Sequence, residues 1–212
     1  MPFWYKKKEH SPAAAGWEGK IPFAMTRKEM NRLRTIGDIE AGFLRIYGQH
    51  GIDGISVASI CQESHVSRST FYLYFEDKYA VLQQVEDRLL AKLWEYCGNL
   101  PDLLMKGQGS ANARLTVRHI KENLGWYRAL LGNKGDPMFV YRWKRDIDRS
   151  LRKKLVQRNV SEEDAIIQGV IFASSLIGLY TYIIFENPDI SEEKMVNYMD
   201  LLLDRILLHW DL

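Results

Sequence analysis

Apolar residues recur at three- and four-residue spacings through most of the chain, which is the period of amphipathic helices. The first such run begins near Thr26 and contains Ile36, Ile39, Phe43, Ile46 and Tyr47. No stretch alternates apolar and polar residues with the two-residue period of a strand. The pattern therefore predicts an all-α fold of about nine helices.

Two short helices are predicted after the first one. Gly51 is placed to end the first helix, and Ser56 to open the second. The sequence ESHV breaks the second helix, and Ser67 is suited to cap a third that runs to Tyr74. Two short helices joined by a turn of about four residues, with a longer helix before them, have the outline of a helix-turn-helix.

The remaining helices are longer. Capping residues and apolar periods predict them from Asp77 past Leu93, near 115–123 and 126–131, and at 138–157, 165–186 and 191–209. Residues 1–24 have no period and are predicted to form a flexible arm. The predicted division is an arm at 1–24, a helix-turn-helix domain at 25–78 and a C-terminal helical domain at 79–212.

Residues 165–185 contain no charged side chain, and 21 such residues are long enough to span a membrane. The polar side chains inside the segment and its acidic flanks favour the other interpretation, a helix buried on more than one side. One face would then pack on its own domain and another on a second subunit. The residues predicted for that dimer interface are Gly169, Ala173, Gly178, Tyr182, Met199, Leu202 and Ile206.

Composition narrows the class of protein only a little. Apolar residues make up 46% of the chain, enough for a packed core, and the net charge of +2 is uninformative. Charge is unevenly distributed, however: 142–158 holds eight basic and two acidic residues, whereas 161–212 holds two basic and ten acidic. The basic helix at 138–158 is a solvated face, a second electropositive surface or a partner for the acidic tail within the dimer, and the first of these is favoured. Cys61 and Cys97 are too few for a disulfide framework, which favours a cytoplasmic protein.

The helix-turn-helix region resembles the TetR family of transcriptional regulators. The resemblance covers residues 39–82, in the order GxxGxSVxxI, a turn, VSRSTFYxYF and then KxxxL. One departure is His65, which stands in the turn where the family usually has glycine; His is among the few other residues enriched at positive φ. Residues 122–139 are similar to a C-terminal domain type that includes a regulator of a dihydroxyacetone kinase operon.

The resemblance implies that the third helix enters the DNA major groove. Arg68 is the best candidate for reading a base, since its guanidinium matches the two acceptors of guanine. Thr70 and Leu73 can reach a thymine methyl group, and Ser67 lies at a helix N-terminus, where phosphate binds well. The full predicted DNA-binding set is Ser56, Ser67, Arg68, Ser69, Thr70, Tyr72, Leu73, Tyr74 and Lys78.

The family resemblance also implies a homodimer on a near-palindromic operator and an effector pocket in the C-terminal domain. The aromatic residues predicted for the pocket are Trp94, Trp126, Tyr127, Phe139, Trp143, Phe172 and Tyr180, although aromatic residues in a helical core more often simply pack. No catalytic motif, metal-ligand spacing or cofactor motif is found in the sequence, so no enzyme activity, metal or cofactor is predicted. An alternative is a helical ligand-binding or scaffold protein whose helix-turn-helix is not used.

Overall fold

The computed structural model describes residues 26–97 and 109–208, with side chains for 26–96 and 113–202. This part of the chain contains nine α-helices and no strand, so the prediction of an all-α fold is confirmed. The predicted arm at 1–24 lies outside the described residues. The helices are α1 Arg27–His50, α2 Val57–Ser64, α3 Arg68–Tyr72, α4 Lys78–Cys97, α5 Gly109–Glu122, α6 Leu124–Leu131, α7 Pro137–Gln157, α8 Glu162–Phe185 and α9 Glu192–Leu208.

Local sequence explains where several helices begin and end. Thr26 forms a capping box with Glu29 at the start of α1. Gly51 ends α1 with φ at 69°, a conformation that glycine adopts without strain. Asp136 caps α7 by accepting a hydrogen bond from the Met138 amide, and Pro137 follows it at the first helical position. The predicted ends of α1 and starts of α2 and α3 agree with the structure to within a residue.

The core is continuous along the molecule. α1 packs on α2 and on α6, while α4 packs on α5. The most extensive contact joins α7 to α8, and α9 lies mainly on α5. Buried aliphatic and aromatic side chains from all of these helices form one apolar cluster. The helix-turn-helix is therefore attached directly to the helices that follow it.

The sequence of α8 allowed two interpretations, a helix buried in the core and a membrane span. Within the described residues it is the one helix long and apolar enough to cross a membrane, and 44% of its most apolar window is buried. Its buried side includes Phe172, Leu176 and Tyr180, which pack against neighbouring helices. A helix buried in a protein core can be as long and as apolar as a membrane span. The length and hydropathy of α8 are therefore only weak evidence for a span.

Candidate nucleic-acid interface

The turn between α2 and α3 depends on one residue whose backbone is in the left-handed helical conformation. His65 has φ 56° and ψ 34°, as its position in place of glycine predicted. The chain reverses there, and the Val66 amide donates to the Cys61 carbonyl at 3.1 Å. This conformation ends α2 and directs the next residues into α3, so His65 sets the angle between the two helices.

α3 has one side in the core and one in solvent. Phe71 is fully buried and packs on Phe75 with ring centroids 5.8 Å apart. On the opposite side, Tyr72 is 58% exposed and Leu73 is 78% exposed. A single exposed leucine is common on protein surfaces, so the exposure of Leu73 shows only that this side of α3 is open to solvent. Arg68 is also exposed and makes no hydrogen bond or ion pair with the residues that the structure describes.

Three hydroxyl groups cluster at the start of α3. Ser67 Oγ accepts a hydrogen bond from the Thr70 amide at 3.0 Å, which confirms the predicted cap. The same oxygen lies 2.8 Å from Ser69 Oγ and 2.8 Å from Thr70 Oγ1. Ser67 and Ser69 are exposed, while Thr70 is half-buried. The hydroxyls form a small polar surface beside Arg68.

Two of the predicted phosphate contacts also have structural roles. Ser56 Oγ caps α2 by accepting from the Ser59 amide at 3.1 Å. Lys78 Nζ donates to the carbonyl oxygens of Ile52 and Ile55 at 2.7 and 2.9 Å, which fastens α4 to the α1–α2 turn. An ammonium has three N–H donors, so one of them stays available for another acceptor. Tyr74 is half-buried against the core and presents less of its ring than Tyr72 does.

Basic side chains at the start of α1 extend the polar surface of this part of the chain. Arg27, Lys28 and Arg32 are all exposed. Glu29 lies among them, and its hydrogen bond from the Thr26 backbone lowers the pKa of its carboxyl group. The cationic groups therefore outnumber the anionic ones in the first two turns of α1.

Residues 42–85 match the family model described as bacterial regulatory proteins, tetR family. The chain carries the helix-turn-helix domain of the TetR family. The matched segment runs from the middle of α1 into α4 and includes α2, α3 and the turn between them, but not the basic side chains at the start of α1. The family resemblance predicted from the sequence is thereby confirmed. None of the curated proteins compared matches the chain.

Solved structures share the fold beyond the matched segment. The dihydroxyacetone kinase operon activator DhaS is 20% identical, with 83% of this chain and 98% of that chain covered and a TM-score of 0.56. A TetR transcriptional regulator from Streptococcus agalactiae 2603V is 18% identical, with 83% and 97% covered and a TM-score of 0.57. The fatty acid degradation regulator FadR from Bacillus halodurans is 14% identical, with 80% and 94% covered and a TM-score of 0.55. The chain thus has the fold of TetR-family regulators in both halves.

Four of the seven aromatic residues predicted for an effector pocket line one cleft between α4, α7 and α8. They are Trp94, Trp143, Phe172 and Tyr180. The Trp143 and Tyr180 rings are stacked, with centroids 5.3 Å apart, and Trp94 is half-exposed at the edge. The cleft has a volume of about 30 Å³, room for little more than water. An organic ligand would have to displace side chains to enter.

The other three aromatic residues lie outside that cleft. Tyr127 and Phe139 are fully buried and pack against Trp143 at 5.7 and 6.0 Å between ring centroids. Trp126 stacks on Phe43 of α1 at 6.2 Å. Trp126 therefore joins the helix-turn-helix to the C-terminal helices instead of facing a ligand site.

The predicted dimer residues divide between two faces. Gly169 faces α7, since a Cβ atom there would lie 2.2 Å from Asp148 Oδ1. Ala173 and Met199 are likewise buried, so the structure shows these three residues packing within the chain. Gly178 and Tyr182 are exposed on the other side of α8. Leu202 is half-buried, and the side chain of Ile206 lies outside the described residues.

The exposed apolar face on α8 and α9 consists mainly of residues that the sequence prediction did not name. It comprises Ile166, Ile167, Val170, Ile171, Phe185, Tyr198 and Leu201, each at least 39% exposed. Because α8 is apolar all round, its sequence did not distinguish the side that faces α7 from the side that faces solvent. A group of exposed apolar side chains on adjacent helices indicates an interaction surface.

The described residues contain no group of three His, Cys, Asp or Glu side chains that could hold a metal ion. The family and the solved structures above are transcriptional regulators.

Proposed function

We propose that the protein is a homodimeric transcriptional regulator that binds a near-palindromic operator in the cytoplasm. The observation that supports this most is the exposed face of α3, where Arg68, Tyr72 and Leu73 project from a helix fixed by the buried Phe71. A short helix held on one side by protein and open on the other fits the width of the DNA major groove.

In this proposal, some side chains contact bases and others contact phosphates. Arg68 donates to guanine, while Leu73 contacts the methyl group of thymine. Ser56, Ser67, Tyr72 and Lys78 position the domain on phosphates without specifying sequence. Ser69, Thr70 and Tyr74 complete the surface at its edges.

Selection of bound fragments from a random duplex library, followed by affinity measurement, tests the proposal. Arg68→Ala should weaken binding to the selected site by about tenfold or more and relax base preference at one position of each half-site. Arg149→Ala is the matched control, because Arg149 is an exposed arginine on α7. Equal loss in both variants, or none in Arg68→Ala, would reject the assignment of α3.

The exposed apolar face of α8 and α9 supports the homodimer. Two copies of this pair of helices would form a four-helix bundle, which covers the apolar residues and places two α3 helices on one side of the DNA. Repression is the outcome we expect, because a bound dimer excludes other proteins from the operator.

An effector in the C-terminal domain would act by changing the distance between the two α3 helices. The aromatic cleft is the proposed site. Its small volume in the structure implies that binding moves Trp94 or the stacked Trp143 and Tyr180 rings. Tryptophan emission, titrated with apolar ligands of increasing size, would report such movement. The double variant Trp94→Leu/Trp143→Leu should abolish the change for any ligand that uses this cleft.

The alternative is a ligand-binding or scaffold protein with an unused helix-turn-helix, and salt dependence separates it from the proposal. Contacts with phosphates release counterions, so the affinity of a DNA-binding protein falls steeply as salt rises. No retention on DNA at about 50 mM salt would favour the alternative.

A further inference from the structure

The first two turns of α1 extend beyond the rest of the described chain. Residues 26–34 are all exposed, and Ile39 is the first buried residue of the helix. A capping box between Thr26 and Glu29 nevertheless fixes the start of the helix. Packing supplies most of the stability of helices in proteins, and these turns receive almost none from the described residues. Their side chains are therefore free to contact another molecule.

Cations outnumber carboxylates in this part of α1. The cations are Arg27, Lys28, Arg32 and Arg34, and the carboxylates between residues 27 and 38 are Glu29 and Asp38. None of these cations makes a hydrogen bond or ion pair with the residues that the structure describes. Asp38 follows Arg34 by one turn and offsets mainly that charge. An excess of positive charge therefore remains around Arg27, Lys28 and Arg32.

These three cations lie on the side of α1 that contacts α2. Successive residues of a helix are about 100° apart around its axis, so Arg27, Lys28 and Arg32 each lie within about 80° of the direction of Gly42. Gly42 lies directly against Ser64, the last residue of α2. The side chains therefore leave the helix on the same side as the helix-turn-helix.

The C-terminal helices lie on a different side of α1. A Cβ atom on Gly48 would be 3.6 Å from Ala129 of α6, and one on Gly125 of α6 would be 3.5 Å from Leu44. Leu44 and Gly48 point at least about 120° away from Gly42 around the helix. The contact with α6 thus leaves the side that carries the three cations uncovered.

The length of the exposed part of α1 suits a contact with the DNA backbone. In helix-turn-helix proteins the first helix of the motif crosses the backbone while the second lies in the major groove. Because α2 ends at its contact with Gly42, α1 continues past the turn to α3, and Arg27 lies about 22 Å along the axis from Gly42. The minor groove is only about 6 Å wide. The start of α1 is therefore long enough to reach phosphates beyond the groove that α3 would occupy.

We propose that the first two turns of α1 bind DNA phosphates outside the bases that α3 contacts, through Arg27, Lys28 and Arg32. These side chains position the domain and lengthen the footprint of each half-site without reading its sequence. Their role rests on the proposed function, to which it adds a further element of the chain. The unpaired cations supply the charge complementarity, and the shared side with α2 makes the surface continuous with the proposed interface.

The salt dependence of binding to a duplex selected from a random library tests this role. Each phosphate contact contributes about 0.9 to the slope of log affinity against log salt concentration. The triple variant Arg27→Gln/Lys28→Gln/Arg32→Gln should therefore make the slope shallower by up to about 3 for each subunit, and should weaken binding at least about tenfold at about 0.1 M salt. Glutamine keeps a high helix propensity, so α1 should remain helical.

A second triple variant controls for the loss of net charge. Arg114→Gln/Arg149→Gln/Lys153→Gln removes the same three charges from exposed positions on α5 and α7. Its slope should change by less than about 1, since no phosphate contact is lost. Equal changes in the two triple variants would overturn the proposal, because net charge alone would then explain the effect. Arg27→Lys/Lys28→Arg/Arg32→Lys, which keeps every charge, should retain the wild-type slope.

Phosphate ethylation and library selection locate the contact. Ethylation of phosphates at the outer edges of the site should weaken the wild-type protein but have no further effect on the α1 triple variant, and both proteins should select the same bases. A changed base preference at the flanks would show that α1 reads bases, which would overturn the assignment to phosphates. Failure of the wild-type chain to select any duplex would reject the proposed function and this role with it. Selection by the wild type with equal slopes in all variants would reject the role of α1 alone.

Discussion

Gly42 of α1 lies against Ser64 of α2 so closely that a Cβ atom on the glycine would be 2.8 Å from both the Cβ and the amide nitrogen of the serine. Ser64 is itself buried, and its Oγ donates to the Ile60 carbonyl at 2.7 Å. The contact holds the last turn of α2 directly against α1. Because His65 and α3 follow immediately, this close approach contributes, with His65 and the buried Phe71, to the position of α3.

A methyl group at Gly42 should therefore disturb the domain. Gly42→Ala is expected to lower the free energy of unfolding by about 1–3 kcal/mol, the usual cost of overpacking. Gly37→Ala is the control in the same helix, since a Cβ atom there meets nothing within 4 Å. It should raise stability by up to about 1 kcal/mol through helix propensity. Urea denaturation of both variants measures the difference, and equal effects would contradict the close approach.

The positive φ of His65 leads to a second prediction. Replacing His65 by glycine should leave stability unchanged or raise it by up to about 1 kcal/mol, because glycine adopts positive φ without a steric cost. His65→Val should lower stability by about 1–2 kcal/mol for the opposite reason. Gln62→Val, at an exposed helical position three residues earlier, serves as the control. Thermal unfolding of the three variants would detect the contrast, and a harmless valine at 65 would argue against this turn.

The exposed face of α8 leads to a prediction about assembly. Val170→Asp should convert the proposed dimer to a monomer, since it places a charge in the middle of an apolar interface. Leu115→Asp, at another exposed apolar position, should leave the dimer intact. Light scattering after size-exclusion chromatography measures the mass. A dimer that survives Val170→Asp would show that the subunits meet elsewhere.

Glu86 should make stability depend on pH. Its pKa is about 8 in the folded chain and close to 4.5 when unfolded, so between these values only the folded state holds the proton. The free energy of unfolding should therefore fall as pH rises from about 5 to 8, by at most about 1.4 kcal/mol per pH unit. Glu86→Gln should remove this decline. Denaturation at a series of pH values provides the measurement, and an unchanged slope in the variant would assign the effect to other groups.

Much of the exposed surface of α3 could be predicted because its determinants are local. Ser67 caps a helix, Phe71 is buried one turn later, and His65 occupies a position that requires positive φ. Each of these follows from residue type and spacing over fewer than ten residues. The surface exposure of Tyr72 and Leu73 then follows from the position of Phe71.

The C-terminal half was less predictable because its determinants are distant in sequence. Nothing near Trp126 indicates that it stacks on Phe43, more than eighty residues away. Gly169 looked suitable for a subunit contact, whereas its small size serves the approach of α7. In a helix that is apolar on every side, sequence alone cannot tell which face packs within the chain and which remains open.

The exposure of Leu73 has a thermodynamic consequence. In the free protein this side chain keeps most of its apolar surface in water. Docking of α3 in a groove would remove that surface from water, which lowers the heat capacity of the system. Part of the association would then be insensitive to salt and would vary with temperature, unlike the phosphate contacts around it. Burial of Leu73 would thus add a negative heat-capacity change to an association that otherwise depends on electrostatic contacts with phosphates.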